Sequence, residues 1–232
     1  EMAGHAIAEA VKRSKVSKEE IDDVIIGAAG QQGSQQGNIA RQSLLRAGLP
    51  VSVAGMSLDR QCASGMMAIA TAAKEITEDG MTITVGGGVE SVSLVRNENF
   101  RMDRARDPWL EENIPSLYMT MIETAENVAK RYDISRESQD EYALQSQMRT
   151  ANAQKNGLMD KEIVPLKSTM KYKDKETGEI SSHDVCIEKD EGNRPSTTFE
   201  GLSALKPVFK DGIYLKEGEY ITAGNASQLS DG

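Results

Sequence analysis

Short apolar runs alternate with helical patterns from residue 2 to residue 88, and this alternation restricts the chain to a layered α/β fold. Met2, Ala6, Ile7, Ala10 and Val11 recur at helical spacing, which predicts an amphipathic helix over 2–13. Ser17 and Glu20 fit a capping box. Val24-Ile25-Ile26-Gly27-Ala28-Ala29 reads as a buried strand, followed by a Gln- and Gly-rich loop from Gly30 to Gly37. Asn38 can cap a helix over 39–47 that stops at Gly48 and Pro50. Residues 51–58 read as a strand, and 63–77 as a helix with Met66, Ile69, Ala70, Ala73 and Ile76 on its buried face. Met81–Val85 is a third strand, broken by Gly86-Gly87-Gly88. Helix-linked strands of this kind predict a largely parallel sheet.

The character changes after about residue 95. Arg96–Glu112 is charged and weakly periodic. Residues 120–131 and 135–156 read as helices, the second capped by Ser135 and ended by Gly157. Lys161–Glu191 is charged, with Thr177-Gly178 as a turn between two short strands. At Gly218 the pattern returns to apolar and small residues. The chain therefore divides into a core over 1–95, an inserted domain over 96–217, and a return strand with the start of a next element over 218–232.

Aromatic residues make up only 4% of the chain, so its core must rest on Ile, Val, Leu, Met and Ala. A net charge of −9 argues against a nucleic-acid partner. No apolar run approaches the roughly 18 residues that span a bilayer, so no membrane partner is expected. Cys62 and Cys186 lie outside any Cys-x-x-Cys pair, and His5 and His183 lack ligand spacing, so no metal is expected. So few cysteines favour a reducing compartment, and the expectation is cytoplasmic. A targeting segment ahead of Glu1 stays open, because the chain starts inside a helical pattern and both ends read as cuts.

The strongest local feature is Leu58-Asp59-Arg60-Gln61-Cys62-Ala63-Ser64-Gly65-Met66. A strand ends, a sharp turn follows, and a helix begins at or next to Cys62. The first-turn N–H groups and the helix dipole favour a thiolate there. Small neighbours allow a carbonyl to approach, and the Cys62 N–H can serve as an oxyanion donor. The competing reading is a buried, inert structural thiol.

Arg60-Gln61-Cys62-Ala63-Ser64-Gly65 resembles the nucleophile motif of the thiolase family. Gly86-Gly87-Gly88-Val89-Glu90-Ser91 resembles the family's glycine-rich strand end. Thr222-Ala223-Gly224-Asn225-Ala226-Ser227, followed by Asp231-Gly232, resembles its T-A-G-N-A-S stretch. The resemblance covers essentially the whole chain as the N-terminal half of a thiolase plus its inserted loop domain. It implies a layered α/β/α core with a mixed sheet, interrupted by an α+β loop domain, and a first strand lying before Glu1.

The resemblance implies an acyl-CoA C-acyltransferase that joins or cleaves 3-ketoacyl-CoA through an acyl-cysteine at Cys62. Acetyl-CoA acetyltransferase is the expected form, and a longer-chain 3-ketoacyl-CoA thiolase is the alternative. The activating His and the proton-shuttling second Cys belong to C-terminal motifs absent here. His5, His183 and Cys186 do not match them, and the two histidines are expected to be solvated. The 232-residue chain by itself is accordingly expected to be inactive. Coenzyme A is expected as a substrate, with no separate cofactor, and a homodimer or homotetramer is expected.

Position by position, the resemblance matches Arg194 to the arginine against the CoA adenine, which a guanidinium can stack on. Leu205 and Phe209 match residues along the pantetheine tunnel. Ala223 and Ser227 match groups that meet the pantetheine amides, and Met121 matches an apolar residue beside the acyl group. On pattern alone, Arg194 reads as a surface cation, Leu205, Phe209 and Met121 as core, and Ala223 and Ser227 as turn residues.

Three departures bear on acyl-chain choice and the turn. Thr120-Met121-Ile122 replaces the His-Met-Gly common in bacterial acetoacetyl-CoA thiolases. Gly212–Glu219 is longer than usual, and Asp59 stands where many members have Asn, with little expected consequence for Cys62. Gly27–Gly37 fails the GxGxxG pattern at Ala29, and Glu90 reads as a buried hydrogen-bonding group. Two other classes compete: a decarboxylating condensing enzyme, against which the T-A-G-N-A-S stretch argues, and a non-enzymatic CoA-binding or oligomer-forming role.

Overall fold

Asp23–Gly27, the run Asp-Val-Ile-Ile-Gly, is buried at every position and forms β1. It lies at the centre of a three-stranded sheet, flanked by β2 (Ala54–Leu58) and β3 (Thr84–Gly88). Both pairings are parallel, with Asp23 opposite Ala54 and Thr84, and Gly27 opposite Leu58 and Gly88. Parallel neighbours need crossovers, supplied by α2 (Ile39–Arg46) between β1 and β2 and by α3 (Ser64–Thr77) between β2 and β3. A further helix, α1 (Met2–Ser14), precedes β1.

Strand alternation sorts the core into two faces. Val24 and Ile26 pack with Ala3, Ile7 and Val11 of α1 and with Ile39, Ala40 and Leu44 of α2. Ile25 packs on the other face against Ala68 and Ala72 of α3. The result is helix, sheet and helix in three layers. Full burial of Val24 and Ile25 contributes about 2 kcal/mol each.

The computed structural model describes residues 1–232 and separates into two compact units. The first comprises Glu1–Arg101, Val164–Glu188 and Leu229–Gly232; the second comprises Met102–Ile163 and Lys189–Gln228. The first unit also holds α4 (Val92–Val95) and an antiparallel hairpin of β4 (Leu166–Lys173) and β5 (Ile180–Ile187). Gly178 turns this hairpin with φ +73°. The charge change after residue 95 assigns the hairpin to the insertion, yet it belongs to the first unit. His5 Nε2 lies 3.0 Å from the Pro165 carbonyl oxygen at the hairpin's root, so His5 is partnered rather than solvated.

The second unit is helical. It contains α5 (Pro108–Asn113), α6 (Met121–Arg131), α7 (Arg136–Lys155) and α8 (Phe199–Ser203). Asp107, Thr120, Ser135 and Thr198 cap them, each accepting a first-turn N–H. Gly157, at φ +65°, follows α7 in the left-handed conformation that ends helices. No helix of the chain is long and apolar enough to cross a membrane.

Three expectations change. On α3 the buried positions are Ser64, Ala68, Ala72 and Glu75, whereas Met66, Ile69 and Ile76 are 76%, 58% and 45% exposed. The small residues, not the large ones, face the sheet. Gly86-Gly87-Gly88 does not break the third strand but forms its body. A Cβ on Gly86 would lie 2.8 Å from the Ile69 Cα, and one on Gly88 would lie 3.0 Å from the Gly65 Cα. A Cβ on Gly27 would lie 2.1 Å from the Ser64 carbonyl carbon. The glycines let α3 rest backbone to backbone on the sheet.

The third change concerns the return strand expected within 218–232, which is not formed. The N–H of Ile221 goes to the Glu126 carboxylate at 2.7 Å instead of to a neighbouring strand. Gly232 exchanges both N–H···O bonds with Glu90 at 2.8 and 2.5 Å, the antiparallel pattern.

Gly27→Ala is expected to destabilise the fold by about 3 kcal/mol, because backbone atoms of α3 must move to admit the methyl group. An unchanged denaturant midpoint for this variant would show that the helix–sheet contact is looser than described.

Candidate active site

Five residues, Asp59 to Ala63, join the end of β2 to the start of α3, and Cys62 lies among them. Gln61 has φ +48°, a conformation that side chains other than Gly, Asn and Asp seldom adopt. Several bonds hold it. Asp59 Oδ1 accepts the Gln61 N–H at 2.7 Å. Ser64 Oγ accepts the Arg60 N–H at 2.9 Å and donates to the Gln61 carbonyl at 2.6 Å. The N–H groups of Ala63 and Ser64 donate to the carbonyls of Arg60 and Gln61. Asp59 therefore helps to hold the turn through a single oxygen. An Asn there would offer the same oxygen.

Cys62 is exposed and free of any disulfide, so it is not a buried structural thiol. The helix begins two residues later, at Ser64. The backbone N–H groups of Cys62, Gly65 and Met66 donate to no backbone acceptor. A helix N-terminus collects such unpaired donors, and its dipole is positive there. The arrangement can hold a thiolate or a developing oxyanion.

Glu90 behaves as the sequence suggests. Its carboxylate accepts from the N–H of Ala29 at 2.8 Å, the N–H of Gly30 at 3.2 Å and Gln35 Nε2 at 2.8 Å. The end of β3 thus holds the loop after β1. Cys186 and His183 are exposed on the hairpin, and no group of three His, Cys, Asp or Glu side chains is arranged to hold a metal.

Cys62 belongs to the first unit and the other candidate residues belong to the second. Met121 is the first residue of α6 and is 73% exposed. Arg194 is exposed, with its backbone fixed where its N–H donates to Gln147 Oε1 at 2.8 Å. Gln228 Nε2 donates to the Gly192 carbonyl at 2.8 Å, which ties the residue after Ser227 to the segment of Arg194. Ala223 and Ser227 are exposed and Phe209 is buried. Leu205 lies against Gly224, where an added Cβ would come within 2.6 Å of its Cδ1.

Sequence reasoning passed over the groups that hold these segments. Glu123, 1% exposed, accepts the N–H groups of Ile213, Tyr214 and Leu215 at 3.0, 2.6 and 3.0 Å. Glu126, 2% exposed, accepts those of Glu219, Tyr220 and Ile221 at 2.9, 3.1 and 2.7 Å. Asp140, also buried, accepts from Arg136 Nε at 2.8 Å and from Asn225 Nδ2 at 2.9 Å. The available signal was two glutamates three residues apart on α6, in register with the buried Ala129. A buried carboxylate must be satisfied, so each marks an incoming partner.

The stretch from Ile213 to Ile221 is the segment these glutamates capture. It folds back on itself, with Asp211 N–H to the Lys216 carbonyl at 2.9 Å and Gly218 N–H to the Phe209 carbonyl at 3.0 Å. Added Cβ atoms at Gly212 and Gly218 would come within 2.5 Å of Glu123 Cδ and 2.6 Å of Glu126 Oε1. Glycine is needed there to admit the carboxylates.

These features define an α/β protein with an exposed cysteine on a constrained strand–turn–helix. The family model described as thiolase, N-terminal domain, matches residues 1–232. The chain belongs to the thiolase family. It is 39% identical over 231 residues to the beta-ketoadipyl-CoA thiolase of Pseudomonas putida, covering 94% of this chain and 54% of that protein. It is 38% identical over 229 residues to the 3-ketoacyl-CoA thiolase of Bacillus subtilis, covering 97% and 56% respectively. The crystal structure of the Bacillus anthracis acetyl-CoA acetyltransferase superposes with a TM-score of 0.76 at 37% identity, covering 99% of this chain and 56% of that one. The chain thus spans about half the length of the relatives it matches.

Burial alone would raise the Glu123 carboxyl, but the N–H groups of Tyr214, Ile213 and Leu215 outweigh it and hold the group below its ordinary 4.5. A depressed folded value stabilises the fold above the unfolded value, and that contribution fades as pH falls through the folded one. The unfolding free energy is therefore expected to drop more steeply below about pH 4.5 in the parent protein than in Glu123→Gln. Denaturant titrations at a series of pH values check this; parallel curves would refute it.

Proposed function

We propose that the protein carrying this chain is an acyl-CoA C-acyltransferase that makes and cleaves 3-ketoacyl-CoA, with Cys62 as nucleophile. The observation that carries the reading is the exposed Cys62 on a constrained turn at the N-terminus of α3. Relatives named as thiolases support the reaction class.

In the thiolysis direction, the Cys62 sulfur attacks the 3-keto carbon of the substrate. The bond between the α- and keto-carbons breaks, and the released acetyl-CoA carbanion takes up a proton. The acyl group remains on sulfur as a thioester. A second CoA thiol then attacks that carbonyl, forms the shortened acyl-CoA and returns the sulfur of Cys62. Condensation is the same sequence reversed. At each attack the carbonyl oxygen gains negative charge, and the unpaired N–H of Cys62 is suited to receive it. The general base and the α-carbon proton shuttle come, by resemblance, from a His and a second Cys outside these 232 residues. By resemblance, Arg194, Leu205, Phe209, Ala223 and Ser227 of the second unit are the residues that meet CoA, and Met121 is the one that meets the acyl group. Acetyl transfer is the reading carried forward from the sequence, with a longer acyl chain as the alternative.

Incubation of the full-length protein with labelled acetyl-CoA is expected to acylate Cys62, as located by peptide mapping. Cys62→Ser should lose the label and reduce turnover at least about 1000-fold while keeping its fold. Full activity with an unlabelled Cys62 would sink the assignment. Thiolysis by residues 1–232 alone is expected to be negligible.

A further inference from the structure

We propose that Glu126, Asp140 and Arg136 form a positioning frame for the pantetheine arm of CoA. The inference rests on the functional reading above, which puts Leu205, Phe209, Ala223 and Ser227 on the CoA side of the site. None of the three frame residues needs to touch the ligand. Arg136 and Glu126 instead fix backbone in the two segments that carry those four residues, and Asp140 links Arg136 to Asn225.

The first segment is held by Arg136. Its Nη2 donates to the carbonyls of Leu202 and Leu205 at 2.8 and 3.1 Å, while its Nε donates to Asp140 at 2.8 Å. The guanidinium thus ties the end of α8 to α7. The second segment is held at both sides of one peptide. Glu126 receives the Ile221 N–H at 2.7 Å, and Asn225 Nδ2 donates to the Tyr220 carbonyl of the same peptide at 2.9 Å. The same Asn225 amide donates to Asp140 at 2.9 Å. Its Oδ1 accepts the Thr222 N–H at 2.8 Å, which closes the turn that bears Ala223. The two segments are joined by the Val208 N–H donating to the Ile221 carbonyl at 3.0 Å.

The circuit runs from the Leu205 carbonyl through Arg136, Asp140 and Asn225 to Tyr220 and Glu126. Its carboxylates are 1% and 2% exposed, so water does not substitute for a lost bond. Glu126 has no cation in contact and is balanced only by backbone dipoles. Such an arrangement costs desolvation and holds a single backbone geometry. Pantetheine carries two amides at a fixed separation, and recognising them requires backbone groups set with that accuracy.

The test uses full-length protein with CoA and acetoacetyl-CoA. Asp140→Asn is expected to raise the Kd for CoA, and KM, about tenfold while kcat stays within about twofold. Alkylation of Cys62 by iodoacetamide, which needs no CoA contacts, should keep its rate. Arg136→Lys retains the charge but loses the fork, and should show the same pattern to a smaller degree. It also decides the matter if Asp140→Asn fails to fold. Unchanged CoA affinity in a folded variant of either kind would overturn the frame. So would a kcat loss matched by slower alkylation, because the effect would then be a general disturbance. Failure of the unsubstituted protein to bind CoA would overturn the functional reading itself.

Discussion

The first unit depends on the contact between the backbone of α3 and the glycines of β1 and β3. Gly27, Gly86 and Gly88 offer no side chain, and α3 answers with Ser64, Gly65, Ala68 and Ala72. With the helix seated this closely, the five residues linking β2 to α3 have little slack. That tension is expressed in the left-handed Gln61 and relieved by the bonds from Asp59 and Ser64. The position of Cys62 is therefore a consequence of sheet packing. A larger residue in any of these strand positions would displace the helix, and the thiol with it.

The second unit uses the opposite device. The stretch from Leu205 to Gln228 has little regular structure of its own, and buried carboxylates supply the acceptors that a neighbouring strand would otherwise provide. Glu123 and Glu126 together accept six consecutive-type loop N–H groups, three each. Backbone donors must be paired when buried, and here two side chains on one helix face do this for the loop after Phe209.

Much of the architecture was legible in the sequence because local rules and the final packing agree. The capping residues Asn38 and Ser135 and the terminator Gly157 are read from a few neighbouring positions. The face of α3 was misread because hydrophobic periodicity favours Met66, Ile69 and Ile76, while the sheet selects for small volume. The end of the third strand was misplaced because a propensity rule sees a breaker in Gly86-Gly87-Gly88, although the close backbone packing that such glycines allow beside α3 is present. Cys62 was legible from its motif. Glu123, Glu126 and Asp140 were not, since their partners lie 85 to 95 residues away and no local pattern announces them.

That separation bears on how the second unit comes together. Its two stretches, Met102–Ile163 and Lys189–Gln228, are interrupted by a hairpin that packs with the first unit. During synthesis α6 emerges well before the loop that satisfies its glutamates, so both carboxylates remain hydrated while the intervening chain is made. Closure of the clamps is then a late event that must overcome the entropy of a long loop. The residues that shape the stretch from Ile213 to Asn225 are among the last to acquire their native partners.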